Sequence, residues 1–215
     1  MSTHELTLYH SPQTRGTGVL FLLEELGVPY QLKLVDINKD ENHLPEFLAV
    51  NPLGKFPTLV HNGTVVTEQV ACYLHLADLF PEKGLAPAMD DPQRGAYMRW
   101  MAYYGSSFEP AVIDRALKRE PGDRSMMAYG TFEVMQKTVF DQIAKGPYLL
   151  GDTPYAVDLL WGIALRWCRQ FGLIDTNEAV DDYIARITAR PAFVKAEQID
   201  QALVEESTAR QTEEA

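Results

Sequence analysis

Cysteine is scarce, with Cys72 and Cys168 the only two among 215 residues. Neither sits in a CxxC, and no Cys/His cluster has the spacing of a zinc site, so dithiol exchange and a bound metal lack their ligands. A disulfide framework is improbable on the same count, and a reducing, cytoplasmic compartment is the default. Long apolar runs are missing. The longest, Val19 to Leu23, falls far short of the ~20 residues that a membrane helix needs. No basic stretch followed by an apolar run opens the chain, so no signal peptide is read there. Basic charge is also short: 19 Lys and Arg face 30 Asp and Glu, for a net charge of −11. Nucleic acid and anionic lipid both require a basic face, so neither is an expected partner. No Walker loop, GxGxxG, GxSxG, HExxH or EF-hand pattern occurs. Gly54-Lys55 lacks the Gly-rich run of a phosphate loop, and the sequon Asn62-Gly63-Thr64 reads as a turn.

What is present is an ordinary globular composition, 46% hydrophobic and 23% charged, in a chain long enough to bury roughly 70% of its unfolded surface. The N-terminal third alternates strand and helix. Leu6 to Tyr9 alternates as a strand, and His10-Ser11-Pro12-Gln13-Thr14 follows as a loop. Val19, Leu22, Leu23 and Leu26 share one face of a helix from Arg15 to Leu26, which Gly27 stops. Tyr30, Leu32 and Leu34 alternate as a second strand, so the first two strands frame a right-handed parallel βαβ unit. A short helix over Leu44 to Val50 ends before Asn51-Pro52. Thr58 to Val60 and Thr64 to Val66, joined at Asn62-Gly63, form a hairpin. Thr67 is the expected N-cap of a helix from Glu68 to Leu79.

Pro81, Gly84, Pro87 and Pro92 mark a linker over 81–92, after which strand signals vanish. Tyr97, Trp100, Met101, Tyr104 and Phe108 fall at helical spacing, as do Phe132, Met135, Val139 and Ile143. Val157, Leu160, Trp161, Leu165 and Cys168 form the cleanest stripe, followed by Val180, Tyr183, Ile184 and Ile187. The division expected is an α/β domain over 1–80, an all-helical domain over 93–204 and a frayed, acid-rich tail over 205–215. For any single aromatic in these stripes, core is the more frequent role.

Four places can carry chemistry. Ser11 lies between the first strand and the first helix, where the helix amides and dipole favour an anion. Its hydroxyl serves either as a turn residue or as a donor to a thiolate, with Arg15 adding positive field or making a structural ion pair. Pro57 opens a strand and is either an ordinary loop proline or a cis-proline, which would turn the Phe56 backbone toward the Ser11 loop for pairing with a peptide-like ligand. Glu68 and Gln69 start a helix. There the amides suit a carboxylate and Glu68 suits an ammonium, or Glu68 merely complements the dipole. His43 and Lys55 flank one loop and can meet a second carboxylate or remain solvated surface charges.

Asn51-Pro52-Leu53-Gly54-Lys55-Phe56-Pro57-Thr58-Leu59, Thr67-Glu68-Gln69-Val70-Ala71-Cys72-Tyr73-Leu74 and Gly151-Asp152 leading to Ala156-Val157-Asp158 together resemble the cytosolic glutathione S-transferase family, in a bacterial-type form with a Ser/Thr-like active-site loop. The resemblance covers nearly the whole chain. It implies a thioredoxin-like N-terminal domain that binds glutathione, an all-helical C-terminal domain, and usually a homodimer. Carried over, Phe56 pairs its backbone with the cysteinyl part of glutathione and Pro57 is the cis-proline. Glu68 and Gln69 hold the γ-glutamyl head, and Lys55 and His43 reach the glycyl carboxylate. Ser11 falls where the family places its thiol-activating residue, with Thr14 or Arg15 as alternatives. Trp100, Tyr103, Tyr104 and Phe108 would line the electrophile site. Three departures stand out: Gln69 replaces a Ser, Phe56 replaces Val or Ile, and Tyr155 replaces the Ser or Thr that caps the core helix.

The activity implied is conjugation of the glutathione thiolate to small apolar electrophiles, as in detoxification, with glutathione as co-substrate and no metal. Glutathione-dependent isomerisation, dehalogenation and peroxide reduction would share the same site. A non-enzymatic glutathione-binding or ligand-binding protein is the competing class, and a dithiol oxidoreductase is disfavoured by the absent CxxC.

Overall fold

The structure is a computed structural model that describes residues 4–120 and 122–213, with side chains through 209. By contacts the chain divides into two units: Met1–Leu76 together with Arg190–Ala215, and Ala77–Ala189.

The first unit is built on four strands, β1 (Leu6–His10), β2 (Gln31–Leu34), β3 (Thr58–His61) and β4 (Thr64–Thr67), in the order β2-β1-β3-β4. β1 and β2 are parallel, and β3 is antiparallel to both β1 and β4. Helix α1 (Gly16–Leu26) makes the expected crossover between β1 and β2. It turns a continuous apolar run, Val19 to Leu23, into the core and ends at Gly27 with φ 62°. α2 (Pro45–Leu48) is the short helix, preceded by single turns at Ile37–Lys39 and Glu41–His43. The hairpin closes through Asn62 and Gly63 at φ 48° and 80°, the positive values a two-residue turn needs. The next helix, α3 (Gln69–Leu79), starts one residue later than expected. Thr67 closes β4 instead of capping, and Glu68 takes a left-handed φ of 63°.

The second unit is all-helical among the described residues, apart from an isolated Tyr148–Gly151 bridge. It contains α4 (Arg94–Tyr103), α5 (Glu109–Ala116), α6 (Phe132–Ile143), α7 (Ala156–Gln170) and α8 (Glu178–Thr188). Between α4 and α5, Tyr104–Phe108 forms a π-turn in which the Glu109 N–H reaches the Tyr104 carbonyl. Pro110 accounts for the widening: it has no N–H for the Ser106 carbonyl and its ring would crowd that group. Trp161 of α7 forms the centre of the core. Its indole Nε1 donates to the Trp100 carbonyl at 3.1 Å, and Phe108, Tyr104 and Trp100 surround it at ring separations of 4.8, 5.5 and 6.1 Å.

Asp158 lies at the buried start of α7. Its carboxylate accepts from the Leu149 N–H at 2.8 Å, the Tyr155 N–H at 2.9 Å and the Tyr183 hydroxyl at 2.9 Å. Tyr155 returns no side-chain cap bond, so the box is half-built, as a tyrosine in that place requires.

Two domain expectations are corrected. The segment read as a linker, 81–92, packs with the helical unit, where the Leu85 carbonyl accepts from the Ala156 N–H at 2.7 Å. Helix α9 (Pro191–Glu213) groups with the first unit instead, and residues 205–213 continue it where a frayed tail was expected. The physical reason is a buried stripe, Phe193, Ala196 and Asp200, that packs on α1 through a Phe21–Phe193 edge contact at 5.3 Å and through Arg190–Glu25 and Lys195–Glu24 ion pairs.

Candidate active site

The sheet register brings three of the four candidate segments to one end of the first unit. Tyr9 pairs with Thr58 at the last rung between β1 and β3. Ser11, two residues beyond Tyr9, therefore flanks Phe56-Pro57, two and one residues ahead of Thr58. Thr58 in turn pairs with Thr67, which places Glu68 and Gln69 at the same end. The Val35 N–H donates to the His10 carbonyl at 2.9 Å, so the segment leading from β2 to His43 leaves from that end too.

Ser11 is 2% exposed, and its hydroxyl has no hydrogen-bond partner among the described residues. Thr14 is differently placed. Its hydroxyl donates to the Ser11 carbonyl at 2.7 Å and accepts from the Gly16 N–H at 3.1 Å. Arg15 is the exposed N-cap of α1.

The Phe56-Pro57 peptide is cis. The Phe56 ring packs on Phe47 at 5.2 Å, and its backbone lies outside the β1–β3 ladder. Buried Asn51 shapes this loop: its amide donates to the Lys55 carbonyl and to the Thr58 hydroxyl, both at 2.8 Å, while its oxygen accepts from the Leu53 N–H at 3.1 Å. Lys55 itself is exposed. Asn42 donates to the Gly54 carbonyl at 3.0 Å, so the His43 turn and the Lys55 loop do meet. His43 is also exposed and contacts Asp40 at 2.5 Å.

Glu68 is exposed, whereas Gln69 is 8% exposed and turned toward α1. A methyl group on Gly18 would stand 2.4 Å from Gln69 Nε2 and 3.2 Å from the Tyr73 hydroxyl, which donates to the Gly18 carbonyl at 2.6 Å. Glycine at 18 is thus what lets Gln69 lie against α1.

Sequence reasoning missed Asp200 of α9. Oδ1 meets His10 Nε2 at 2.7 Å, while Oδ2 accepts from the Gln13 N–H at 3.1 Å and from the Thr17 hydroxyl at 2.6 Å. Burial pushes this carboxyl up, but the bonds from His10 and Thr17 outweigh it and hold the group below the usual carboxylate range. The available signal was an acid placed at helical spacing on the apolar stripe Phe193–Ala196.

The family described as Glutathione S-transferase, N-terminal domain, matches residues 4–78. Glutathione S-transferase hmp2 of Hypomyces subiculosus is 28% identical over 209 residues, which cover 89% of this chain and 97% of that protein. A solved structure of a glutathione transferase homolog from Sulfitobacter with bound glutathione is 28% identical, at a TM-score of 0.73 over 90% of this chain and 97% of that one. Residues 4–78 match the glutathione S-transferase N-terminal domain, and the chain is similar to glutathione transferases along nearly its whole length. Its relatives extend to the disulfide-bond oxidoreductase YfcG of Escherichia coli, 24% identical over 204 residues that cover 89% of this chain and 94% of that protein.

Of the four residues expected to line the electrophile site, three are buried. Trp100, Tyr104 and Phe108 are 1–3% exposed and pack as core around Trp161. Helical spacing identified the stripe but not the direction it faces. Tyr103 alone keeps partial exposure, with its hydroxyl on the Met135 carbonyl at 3.3 Å. Cys72 and Cys168 are both buried and form no disulfide, and burial pushes the Cys72 thiol up to about 12, so Cys72 offers no thiolate at neutral pH. Among the described residues no group of three or more His, Cys, Asp or Glu side chains is placed to hold a metal ion, and no helix is long and apolar enough to cross a membrane.

Proposed function

We propose that the chain binds glutathione at the shared end of β1, β3 and β4 and conjugates its thiolate to small apolar electrophiles. The observation that carries this reading is the convergence of the Ser11 loop, the Phe56-Pro57 peptide and the Glu68-Gln69 helix start through the pairs Tyr9–Thr58 and Thr58–Thr67. Phe56 supplies backbone pairing for the cysteinyl part, Glu68 and Gln69 take the γ-glutamyl ammonium and carboxylate, and Lys55 with His43 meets the glycyl carboxylate. Ser11 is favoured over Thr14 as the partner of the sulfur, because the Thr14 hydroxyl is already spent on Ser11 and Gly16. Arg15 adds positive field at the start of α1. The thiol proton leaves to solvent, a C–S bond forms at the electrophilic carbon, and the leaving group departs with its bonding pair. The reading includes a homodimer, as the family resemblance implies, and a cytoplasmic location, which two cysteines that form no disulfide support.

The test is calorimetric titration with reduced glutathione while ultraviolet absorbance follows the bound thiolate against pH. Binding with a thiol midpoint well below the free value of ~8.5 is the expected result. Binding with an unshifted thiol would point to a storage or binding protein, and no binding would reject the reading.

Gly18→Ala gives a second check. The new methyl displaces the Gln69 side chain, since the contact at 2.4 Å falls on its mobile amide end. Glutathione affinity should fall about tenfold, roughly 1.4 kcal/mol, with stability changed by less than ~1 kcal/mol because alanine is the better helix former. Unchanged affinity would remove Gln69 from the binding set.

A further inference from the structure

One carboxylate ties together the end of β1, the Ser11 loop and the first turn of α1. Asp200 bonds His10 at the end of β1, the Gln13 N–H inside the loop and the Thr17 hydroxyl in the first turn of α1, at 2.7, 3.1 and 2.6 Å. Gln13 needs such a tether because it holds a left-handed φ of 58°, a conformation that costs a non-glycine residue about 1 kcal/mol or more. His10 is 0% exposed and wedged under the helix start, so close that a methyl on Gly16 would stand 2.9 Å from its Nδ1. Among the described residues that Nδ1 has no partner, and the imidazole's bond there is the one to Asp200. The element that supplies Asp200 arrives from the far end of the chain and is fastened to α1 by Phe193, Arg190 and Lys195.

We infer that Asp200 is a positioning residue: by bridging His10, Gln13 and Thr17 it fixes the loop that presents the Ser11 hydroxyl to the glutathione sulfur. The inference rests on the glutathione reading above. It gives α9 a part in the chemistry of the first unit, although Asp200 touches neither Ser11 nor any group assigned to glutathione itself. Position and charge oppose one another here. A fixed carboxylate beside the start of α1 uses some of the positive field that an adjacent thiolate would use, so a purely electrostatic role would make its removal favour the thiolate. A positioning role makes its removal disfavour it.

The full-length chain and its Asp200→Ala, Asp200→Asn and Thr17→Val variants separate the two roles. Asparagine keeps three bonds without charge. Its oxygen accepts from Gln13 and Thr17, and its amide donates to His10 Nε2 once the imidazole proton moves to Nδ1, which has no other use. With reduced glutathione as the probe, Asp200→Ala should leave affinity within about threefold. It should raise the bound thiol's midpoint by about one pH unit, lowering kcat at pH 6.5 about fivefold with KM within threefold. Asp200→Asn should restore both to within about threefold. Thr17→Val, which removes one bond, keeps the test open if the alanine variant does not fold, and should shift the midpoint the same way by less. An unmoved or lowered midpoint in Asp200→Ala, or equal damage from alanine and asparagine, would overturn the inference. An unshifted thiol in the unsubstituted chain would instead overturn the glutathione reading and this inference with it.

Discussion

Replacing Asp158 with alanine should destabilise the helical unit by roughly 3–5 kcal/mol, because it strands the donors gathered at the buried start of α7. The Leu149 and Tyr155 N–H groups end on this carboxylate, as does the Tyr183 hydroxyl, which also lies 3.3 Å from the Asp158 carbonyl, and Leu149 and Tyr183 are at most 1% exposed. At about 2–4 °C per kcal/mol for a chain of this size, the thermal midpoint should fall by roughly 10 °C. The pH dependence sharpens the test. Burial pushes the Asp158 carboxyl up to about 6, against the opposing pull of the Leu149, Tyr155 and Tyr183 hydrogen bonds. In the unfolded chain it titrates near ~3.9. Between those values the folded state keeps a proton that the unfolded state has lost, so this group's contribution to stability declines as pH rises through about 6. Asp158→Asn cannot ionise and lacks that decline. The gap in stability between the unsubstituted chain and Asp158→Asn should therefore be larger at pH 5 than at pH 7.5, as read from denaturant midpoints. A gap that widens with rising pH would mean that hydrogen bonding, not burial, sets this group's titration.

What could be read from the sequence depended on how local the determinant was. The hairpin was legible because Asn62-Gly63 permits the positive φ of a two-residue turn and β-branched residues flank it. The crossover from β1 to β2 was legible because an apolar helix stopped by glycine separates two alternating segments. The half-built cap at α7 was also visible, since tyrosine at 155 cannot offer the short hydroxyl that a box needs. Determinants that depend on distant partners were not. Asp200 and His10 stand 190 positions apart, and nothing near either one names the other. Trp100, Tyr104 and Phe108 announce a helix face, but the packing of α7 decides that this face is core. Glu68 reads as a first helical residue and instead takes a left-handed turn, because β4 runs on through Thr67 to pair with Thr58.

Ser11→Ala carries the largest expected effect on chemistry. A thiol with a midpoint near ~8.5 is only about 1% thiolate at pH 6.5, and a two-unit lowering brings it to roughly half, at a cost of about 2.7 kcal/mol of selective stabilisation. Near Ser11 the sources of that stabilisation are few. Thr14 has both hydroxyl functions engaged, and the Gln13 N–H is taken by Asp200. The field of α1 is shared with that carboxylate. The Ser11 hydroxyl, which has no protein partner among the described residues, is the donor best able to make a charge-assisted bond to sulfur, and such bonds are about twice as strong as neutral ones. Its removal should return the bound thiol's midpoint toward ~8.5 and lower kcat at pH 6.5 by about 10- to 100-fold, while rates above pH 9 converge because the thiol there ionises unaided. Glutathione affinity, which the proposed reading assigns to Phe56, Glu68, Gln69 and Lys55, should change by less than about fivefold. Stopped-flow measurement of the thiolate absorbance against pH, alongside kcat with a small aromatic halide, reads both quantities. A pH profile that keeps its shape and merely drops in height would assign Ser11 to positioning of the substrate and leave activation of the sulfur to Arg15 and the α1 amides.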